Sequence, residues 1–196
     1  MSKSLVDLLE AYPLPEQKET PKYQIYCDMD GVLTDFEKRF YEKLNEIGPD
    51  YYPLKDIQKV QKPKDFEDIF GPEEFWNFID GIVGVSFWVG MDWMPQGREL
   101  WDFIKKYNPK VLTSPSRNNT SRLGKNLWVR NQLNRKPKVI FAYSSDKQRY
   151  SNKNSILIDD KKSNINEWAA KGGIALRVKK GDISFAIDKL KELGYE

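Results

Sequence analysis

The sequence predicts an α/β fold in which helices flank a parallel β-sheet. Short apolar segments with strand character alternate with longer segments whose apolar residues recur every three or four positions. Strands that alternate with helices in this way are usually parallel and joined by right-handed crossovers. A stretch rich in aromatic residues, proline and glycine interrupts the alternation, which predicts a small inserted unit of short helices.

Five short apolar segments are predicted as strands, because turn-forming or polar residues end each of them. These strands cover 23–28, 110–113, 139–143, 155–158 and 174–178. Helical spacing of apolar residues predicts the main helices at 34–47, 95–107, 119–134, 163–171 and 184–193.

Three units are expected along the chain. Residues 1–22 form an N-terminal arm, in which a short helix at 4–12 is followed by prolines. Residues 23–40 and 94–196 form the α/β core. Residues 41–93 form a mainly helical cap, because prolines and glycines break this stretch repeatedly.

The composition restricts the chemistry that is possible. The chain has 196 residues, no histidine and one cysteine, Cys27, which excludes histidine-based catalysis and an internal disulfide. A bound metal would have oxygen ligands, as Mg²⁺ prefers. No apolar run reaches membrane-spanning length, and the N-terminus lacks a signal-peptide pattern. A cytoplasmic protein without a membrane partner is therefore expected.

The basic residues are unevenly distributed. The formal net charge of +3 is too small to indicate nucleic-acid binding by itself. Within 117–153, however, ten Lys and Arg residues accompany a single acid, Asp146. One basic segment in a nearly neutral chain suggests a local anionic partner, and a lysine-rich face exposed to solvent is the alternative.

Two acids follow the first predicted strand directly, in the stretch Asp28-Met29-Asp30-Gly31. Asp28 can serve as a nucleophile and a metal ligand, and Asp30 as a general acid and base. Gly31 allows a sharp turn, and amides just before a helix can donate to phosphate. An Asx-type turn with two exposed acids is the alternative.

Polar groups also follow the second and third predicted strands. Thr113 and Ser114 can hold phosphoryl oxygens, although an ordinary Ser-Pro turn would give the same pattern. Lys147 lies just past 139–143, where an ammonium group could neutralise a nucleophile and a phosphate together. Other lysines of the basic segment lie nearby in the sequence.

The fourth predicted strand ends in two adjacent acids, Asp159 and Asp160. Acids that follow an apolar strand are costly unless a cation lies there. Mg²⁺ is the natural partner, and Asp28 would complete an anionic site. The alternative is a helix N-cap, since acids are favoured just before a helix. Ligand sites in open α/β sheets form at the carboxyl ends of strands, where all four groups are expected.

Together these residues resemble the haloacid dehalogenase superfamily of phosphatases. The resemblance lies in the stretch from Asp28 to Asp35, then Thr113, Lys147 and the Asp159-Asp160 pair. It implies a Rossmann-like core and an aspartyl-phosphate intermediate. It also implies Mg²⁺ held by Asp28, the backbone carbonyl of Asp30 and one of the two later acids, with Asp160 as direct ligand and Asp159 as support.

Within that superfamily the chain is most similar to the 5'(3')-deoxyribonucleotidases. The similarity covers most of 23–171 and implies hydrolysis of a small nucleotide. The N-terminal arm and the cap depart from the family pattern. The matching stretches are Asp28-Met29-Asp30-Gly31-Val32-Leu33, Asp35-Phe36, Leu112-Thr113-Ser114-Pro115, Lys125, Leu127-Trp128-Val129, Asp146-Lys147 and Leu157-Ile158-Asp159-Asp160.

Aromatic residues of the cap are candidates for binding a nucleobase. Eight aromatics lie between Phe66 and Trp93, and stacking on a base requires only one or two. Trp76, Phe87 and Trp88 are expected at the pocket wall, whereas the alternative is that the aromatics fill the core of the cap. Lys125 and Arg117 are expected to contact phosphate or ribose, or to be surface residues.

Other functions stay open on the sequence alone. The basic segment would suit a phosphatase that acts on a nucleic-acid end, which should bind oligonucleotides with steep salt dependence. A phosphatase of another small metabolite is also open, because the fold does not fix the substrate. A non-catalytic binding module is a further alternative. A homodimer is possible, but no pattern in the sequence requires one.

Overall fold

The computed structural model describes residues 22–133 and 137–196. Five strands lie in the order β3-β2-β1-β4-β5, and every neighbouring pair is parallel. The predicted parallel sheet is therefore confirmed. The arm predicted at 1–22, with its helix at 4–12, lies outside the described residues except for Lys22. The strands are β1 (Gln24–Cys27), β2 (Lys110–Thr113), β3 (Val139–Phe141), β4 (Ser155–Asp159) and β5 (Ile174–Arg177).

Helices flank this sheet and complete the predicted Rossmann-like α/β architecture. No helix of the described segments is long and apolar enough to cross a membrane. A π-helical segment covers Asn77–Val83, and 3₁₀ segments cover Gly48–Asp50, Lys105–Tyr107 and Ser144–Tyr150. The α-helices are α1 (Phe36–Ile47), α2 (Leu54–Ile57), α3 (Pro63–Phe70), α4 (Pro72–Trp76), α5 (Val85–Val89), α6 (Gly97–Ile104), α7 (Asn119–Gln132), α8 (Lys162–Ala170) and α9 (Ser184–Glu192).

The central strand β1 brings the acidic motifs to one edge of the sheet. Cys27, its last residue, pairs with Val111 of β2 and with Ile158 of β4. All five residues of β4 are buried, as expected for a parallel strand covered on both faces. Because the strands run in the same direction and in this register, Asp28 and Asp159 leave the sheet side by side.

Two predicted elements end earlier than expected because turns include their last residues. The strand predicted at 139–143 ends at Phe141, and the 3₁₀ segment Ser144–Tyr150 contains Lys147. The helix predicted at 95–107 is α-helical only to Ile104. The 3₁₀ turn Lys105–Tyr107 follows, and then Asn108, whose φ of 53° is left-handed. The first difference is important for the site, because it turns Lys147 toward β1 and β4.

The short helices between α1 and α6 form a helical insertion, and aromatic side chains make up most of its interior. The ring centroids of Phe40 and Phe66 are 5.6 Å apart, and those of Tyr52 and Phe66 are 5.1 Å apart with perpendicular planes. Phe78 packs 6.0 Å from Phe40, and Phe75 packs 5.3 Å from it. Edge-to-face pairs at these distances stabilise a small core, so most of the aromatics have the structural role that was the alternative to base binding.

Close packing between α5 and α7 joins the insertion to the core. Gly124 of α7 lies so near α5 that a Cβ atom there would be 2.4 Å from the Cβ of Trp88 and 3.0 Å from the carbonyl oxygen of Val85. The absence of a side chain at Gly124 therefore allows the two helices to approach each other and places Trp88 beside Lys125.

Gly124→Ala tests this packing. Overpacking costs about 1–3 kcal/mol, and alanine offsets about 1 kcal/mol of it through its better helix propensity. We expect the free energy of unfolding, measured by urea denaturation, to fall by up to about 2 kcal/mol. Asn126→Ala, at an exposed position of the same helix, is the control and should not destabilise. A variant at Gly124 more stable than the native protein would contradict the close approach of α5 and α7.

Candidate active site

A cavity of about 930 Å³ lies at the carboxyl edge of the sheet and is bordered on one side by the helical insertion. Every strand contributes to its lining at or just after its last residue. This is where ligand sites form in open α/β sheets. The lining residues include Asp28 and Asp30 after β1, Ser114 after β2, Lys147 after β3, Asp160 after β4 and Arg177 of β5.

Asp28 is held at the floor of this cavity by two hydrogen-bond donors. Its Oδ1 accepts from the backbone N–H of Met29 at 2.7 Å, and its Oδ2 lies 2.8 Å from Lys147 Nζ. Burial raises the pKa of Asp28 above its ordinary value. Lys147 opposes that shift, whereas the charges of Asp159 and Asp30 add to it. A cation in the cavity would therefore favour the carboxylate form of Asp28.

Lys147 joins the two acidic motifs. Its side chain is 1% exposed, and its ammonium lies 2.8 Å from Asp28 Oδ2 and 2.7 Å from Asp159 Oδ2. Burial alone would favour the neutral amine, but the charges and hydrogen bonds of the two carboxylates hold its pKa above its ordinary value. The lysine singled out in the sequence therefore lies against the expected nucleophile, at the cavity surface.

Asp30 has a separate buried lysine. Lys125 Nζ lies 2.5 Å from Asp30 Oδ2, and it also donates to Thr113 Oγ1 at 3.1 Å and to the Ser114 carbonyl oxygen at 2.7 Å. Thr34 Oγ1 donates to Asp30 Oδ1 at 3.2 Å. Lys125 was expected to contact the substrate, but its side chain is fully buried and does not border the cavity. It orients Asp30 instead.

Gly31 allows the first motif to approach the fourth. Its φ of 75° lies in the left-handed region, and a Cβ atom there would lie 2.7 Å from Asp160 Oδ2. Its backbone N–H donates to the Thr34 carbonyl oxygen at 2.9 Å, which closes the turn before α1. Any other residue would be strained in this conformation and would displace Asp160.

The two acids after β4 have different surroundings. Asp159 is fully buried, and its oxygens accept from Lys147, from the Asn164 amide and from the backbone N–H of Lys161 at 2.9 Å. The N-cap residue of α8 is Lys161, and no side chain caps that helix, so neither acid is the N-cap that the alternative required. Asp160 is partly exposed and lines the cavity.

These acids form a group suited to a hard divalent cation. Carboxylate oxygens of Asp28, Asp159 and Asp160 all lie within 4.8 Å of one another. Burial, together with the charge of Asp159, raises the pKa of Asp160 to about 6. Three carboxylates with one compensating ammonium leave excess negative charge, and an oxygen-only donor set fits Mg²⁺.

The other expected phosphate and substrate residues are divided between cavity and core. Ser114 lines the cavity, whereas the Thr113 hydroxyl is fully buried and accepts from Lys125. Trp76 lines the cavity and is 40% exposed. Trp88 also borders it but is only 2% exposed, so Trp76 offers the larger face.

Two further expected contacts lie away from the cavity. Phe87 is fully buried and packs against Phe36, with ring centroids 5.2 Å apart, so it does not form part of the pocket wall. Its burial follows from its helical position, since it lies on the inward face of α5. Arg117 is exposed and does not border the cavity.

Sequence reasoning missed two polar residues that support the site. Asn164 donates to both oxygens of Asp159 at 3.1 and 2.9 Å, and Asp80 accepts from Trp88 Nε1 at 3.0 Å and from Thr120 Oγ1 at 2.9 Å. Asn164 lies on the first turn of α8, five positions after Asp159. That spacing could have predicted a contact between the two side chains. Asp80 lies in an apolar stretch, where a single acid could have indicated a buried hydrogen-bonded role.

Comparison with known proteins gives the class of fold. No protein-family model and no curated protein matches the sequence. A protein from Clostridium acetobutylicum described as a predicted phosphatase matches with a TM-score of 0.54 and 12% identity, over 88% of this chain and 91% of its own. A haloacid dehalogenase-like hydrolase from Bacteroides fragilis matches with a TM-score of 0.53 and 15% identity, over 82% and 89%. At such identities these similarities establish the fold alone, a parallel α/β sheet flanked by helices, which this chain shares with these two proteins.

Lys147→Met tests how far the site depends on one buried ammonium. Methionine keeps an unbranched side chain but leaves Asp28 and Asp159 without compensating charge. Breaking a buried pair in this way costs about 3–5 kcal/mol. We expect that loss in the free energy of unfolding, measured by urea denaturation in EDTA.

Lys171→Met, at an exposed lysine, is the matched control and should change stability by less than about 0.5 kcal/mol. Mg²⁺ should restore part of the stability of Lys147→Met, because a divalent cation that binds the folded state can neutralise the same carboxylates. A Lys147→Met protein as stable as the native one in EDTA would show that the two acids do not need this ammonium.

Proposed function

We propose that this protein is a Mg²⁺-dependent phosphatase that hydrolyses nucleoside or deoxynucleoside monophosphates through an aspartyl-phosphate intermediate. The observation that carries the proposal is the arrangement around Asp28. This carboxylate faces a large cavity, pairs with Lys147 at 2.8 Å and belongs to a group of three acids suited to a divalent cation. The fold shared with a protein described as a phosphatase is consistent with this reaction.

The two acids of the first motif divide the chemistry between them. In the first step a carboxylate oxygen of Asp28 bonds to phosphorus as the bond to the leaving sugar oxygen breaks, and protonated Asp30 gives its proton to that oxygen. In the second step water attacks the phosphoaspartate, Asp30 takes a proton from it, and Asp28 is regenerated with release of phosphate. Lys125 and Thr34 hold Asp30 in position for both transfers.

The remaining polar groups hold the phosphoryl oxygens. Lys147 and Ser114 line the cavity beside Asp28, and Lys125 donates both to the buried Thr113 and to the Ser114 carbonyl oxygen. Mg²⁺ held by Asp28 and Asp160, with Asp159 as support, would neutralise charge between the nucleophile and the phosphate.

A nucleotide fits the cavity better than a small phosphorylated metabolite does. A volume of about 930 Å³ lies at the upper end of the range for small-molecule sites. The exposed face of Trp76 provides a surface on which a base can stack. A sugar phosphate would leave this aromatic wall without a partner.

The basic segment gives less support to a nucleic-acid substrate than its sequence suggested. Lys125 and Lys147 are buried and paired with acids of the site. Arg149 pairs with Asp146 at 3.0 Å, and Arg122 lies over the ring of Phe141. Four cations of the basic segment therefore already contact groups of the protein itself, which leaves fewer of them to bind a nucleic-acid backbone. A mononucleotide is for this reason the favoured substrate.

Asp28→Asn and Asp30→Asn test the assigned chemistry. We measure phosphate release from a panel of 5'- and 3'-mononucleotides, sugar phosphates and end-phosphorylated oligonucleotides, with Mg²⁺ and with EDTA. The native protein should release phosphate from mononucleotides only with Mg²⁺. Asp28→Asn should abolish release, and Asp30→Asn should lower kcat by about 10²–10⁴-fold, the range for loss of a general acid and base.

As a control, the folding of both variants is measured by thermal denaturation and by far-UV circular dichroism. Full activity of folded Asp28→Asn with Mg²⁺ would rule out the covalent mechanism. Phosphate release from oligonucleotide ends alone would identify a nucleic-acid end, and not a mononucleotide, as the substrate. The absence of phosphate release from every compound of the panel would refute phosphatase activity.

Trp76→Ala tests the assigned base contact. Stacking of a base on an aromatic side chain contributes about 1–3 kcal/mol, so KM for nucleotides should rise by about 5- to 150-fold. The kcat should change little, because Trp76 is remote from the reacting atoms in the proposed mechanism. Tyr51→Ala, at an exposed aromatic residue of the insertion that does not line the cavity, is the control. An unchanged KM in Trp76→Ala would place the base elsewhere.

A further inference from the structure

A group of cations lines the cavity at and beyond the ends of β4 and β5. Lys161 follows β4, Arg177 ends β5, and Lys179 and Lys180 lie in the turn beyond it. The proposed hydrolysis assigns no role to any of the four. The acids on the opposite side, Asp35 and Glu37, lie at the start of α1.

These cations are positioned by local structure. The Arg177 Nε–H donates to the Asp160 carbonyl oxygen at 2.9 Å, which holds the base of its guanidinium beside the proposed metal site. Lys179 and Asp182 form an antiparallel bridge, and the Asp182 N–H donates to the Lys179 carbonyl oxygen at 2.9 Å. Between them Lys180 and Gly181 have φ values of 51° and 80°.

Two successive positive φ values are the signature of a type I′ turn. Glycine or asparagine is favoured at such positions, and a lysine there adopts a conformation that L-residues disfavour. The backbone conformation of this turn is therefore energetically unfavourable for a lysine at position 180. Strained residues of this kind often occur at ligand sites, and Lys180 lies at the edge of the cavity.

The cations of this group lack the acidic partners that other lysines have. Lys43, Lys64 and Lys189 each pair with an acid three positions away, and this pattern recurs on several helices. By contrast, within 22–133 and 137–196 none of the four cavity cations forms an ion pair with an acidic side chain. Lys161 Nζ donates only to the neutral hydroxyl of Ser144, at 3.1 Å.

Strand spacing gives the distance between this group and the proposed nucleophile. Asp28 follows β1, and β5 lies two strands away across β4. Neighbouring strands are about 4.8 Å apart, so the two strand ends are separated by about 10 Å. A phosphate that Asp28 attacks therefore cannot also occupy the turn at Lys179, and Lys179 and Lys180 face a different part of the bound molecule.

We propose that Lys179 and Lys180, in the turn beyond Arg177, form a binding site for a second phosphate of the substrate. This site lies one nucleoside away from the phosphate that Asp28 attacks. The proposal rests on the proposed function and specifies its substrate class: a nucleotide with a phosphate at each end. Such a phosphate is present in a nucleoside bisphosphate and also in the first phosphodiester of a short oligonucleotide.

Lys179→Gln together with Lys180→Asn tests the site without disturbing the fold. Both side chains are exposed, glutamine keeps most of the lysine stem, and asparagine tolerates the left-handed backbone. The charge-matched control is Lys153→Gln with Lys171→Gln, at two exposed lysines that do not line the cavity. The control separates a local contact from a general loss of positive charge.

The first measurement is Kd by calorimetry in the Asp28→Asn background with Mg²⁺, which prevents turnover. The ligands are a nucleoside 5'-monophosphate, the matching 3',5'-bisphosphate and a 5'-phosphorylated dinucleotide. The bisphosphate should bind about tenfold more tightly than the monophosphate, as expected for charge-assisted hydrogen bonds at a partly exposed site. The double variant should lose this advantage, the control pair should keep it, and high salt should reduce it.

The second measurement is hydrolysis of the same three compounds by the protein with native Asp28. A bisphosphate preference in KM that disappears in the double variant would support the second site. Tighter binding of the dinucleotide than of the bisphosphate would identify the second phosphate as a phosphodiester. Hydrolysis of monophosphates with no preference for the bisphosphate would overturn this inference alone. Preferential bisphosphate binding without any hydrolysis would overturn the proposed reaction but would still support the second phosphate-binding site.

Discussion

The rest of the site depends on the buried contact of Lys147 with Asp28 and Asp159. Adjacent strand ends bring these two carboxylates together in the interior, where unpaired charges are expensive. One ammonium, at 2.8 and 2.7 Å, compensates both. Because Lys147 lies in the 3₁₀ segment after β3, this single side chain links three strands of the sheet. Asp160 is not part of this contact, which leaves it available to a cation.

A second buried lysine repeats this arrangement on the other acid of the first motif. Lys125 lies against Asp30, and its ammonium is 4.9 Å from the ring centroid of Trp88. Trp88 in turn donates to Asp80, which also accepts from Thr120. The helical insertion is therefore joined to α7 by contacts that surround Asp30. A displacement of α5 would change the surroundings of Asp30 directly.

Much of the fold and of the site was predictable from local patterns. The order of strands and helices follows from residue spacing, and the acids at 28, 30, 159 and 160 could be recognised because each follows an apolar strand. In a parallel sheet such residues must meet at one edge. The short apolar strands also identify where the chain turns, so the positions of Thr113, Ser114 and Lys147 near that edge follow from the same argument.

Side-chain direction could not be deduced in this way, because it depends on contacts between distant segments. Lys125 was expected at the substrate and lies against Asp30, and Phe87 was expected at the pocket wall and lies in the core. The position of Lys125 depends on the close packing of α5 on α7 at Gly124, and the burial of Phe87 depends on its contact with Phe36 of α1. No local pattern encodes either contact. Strand order and residue type were sufficient to predict the α/β fold and the acids and lysines that meet at its edge. The tertiary structure alone decided which lysine neutralises which acid, because burial and charge pairing are properties of the assembled strands and helices.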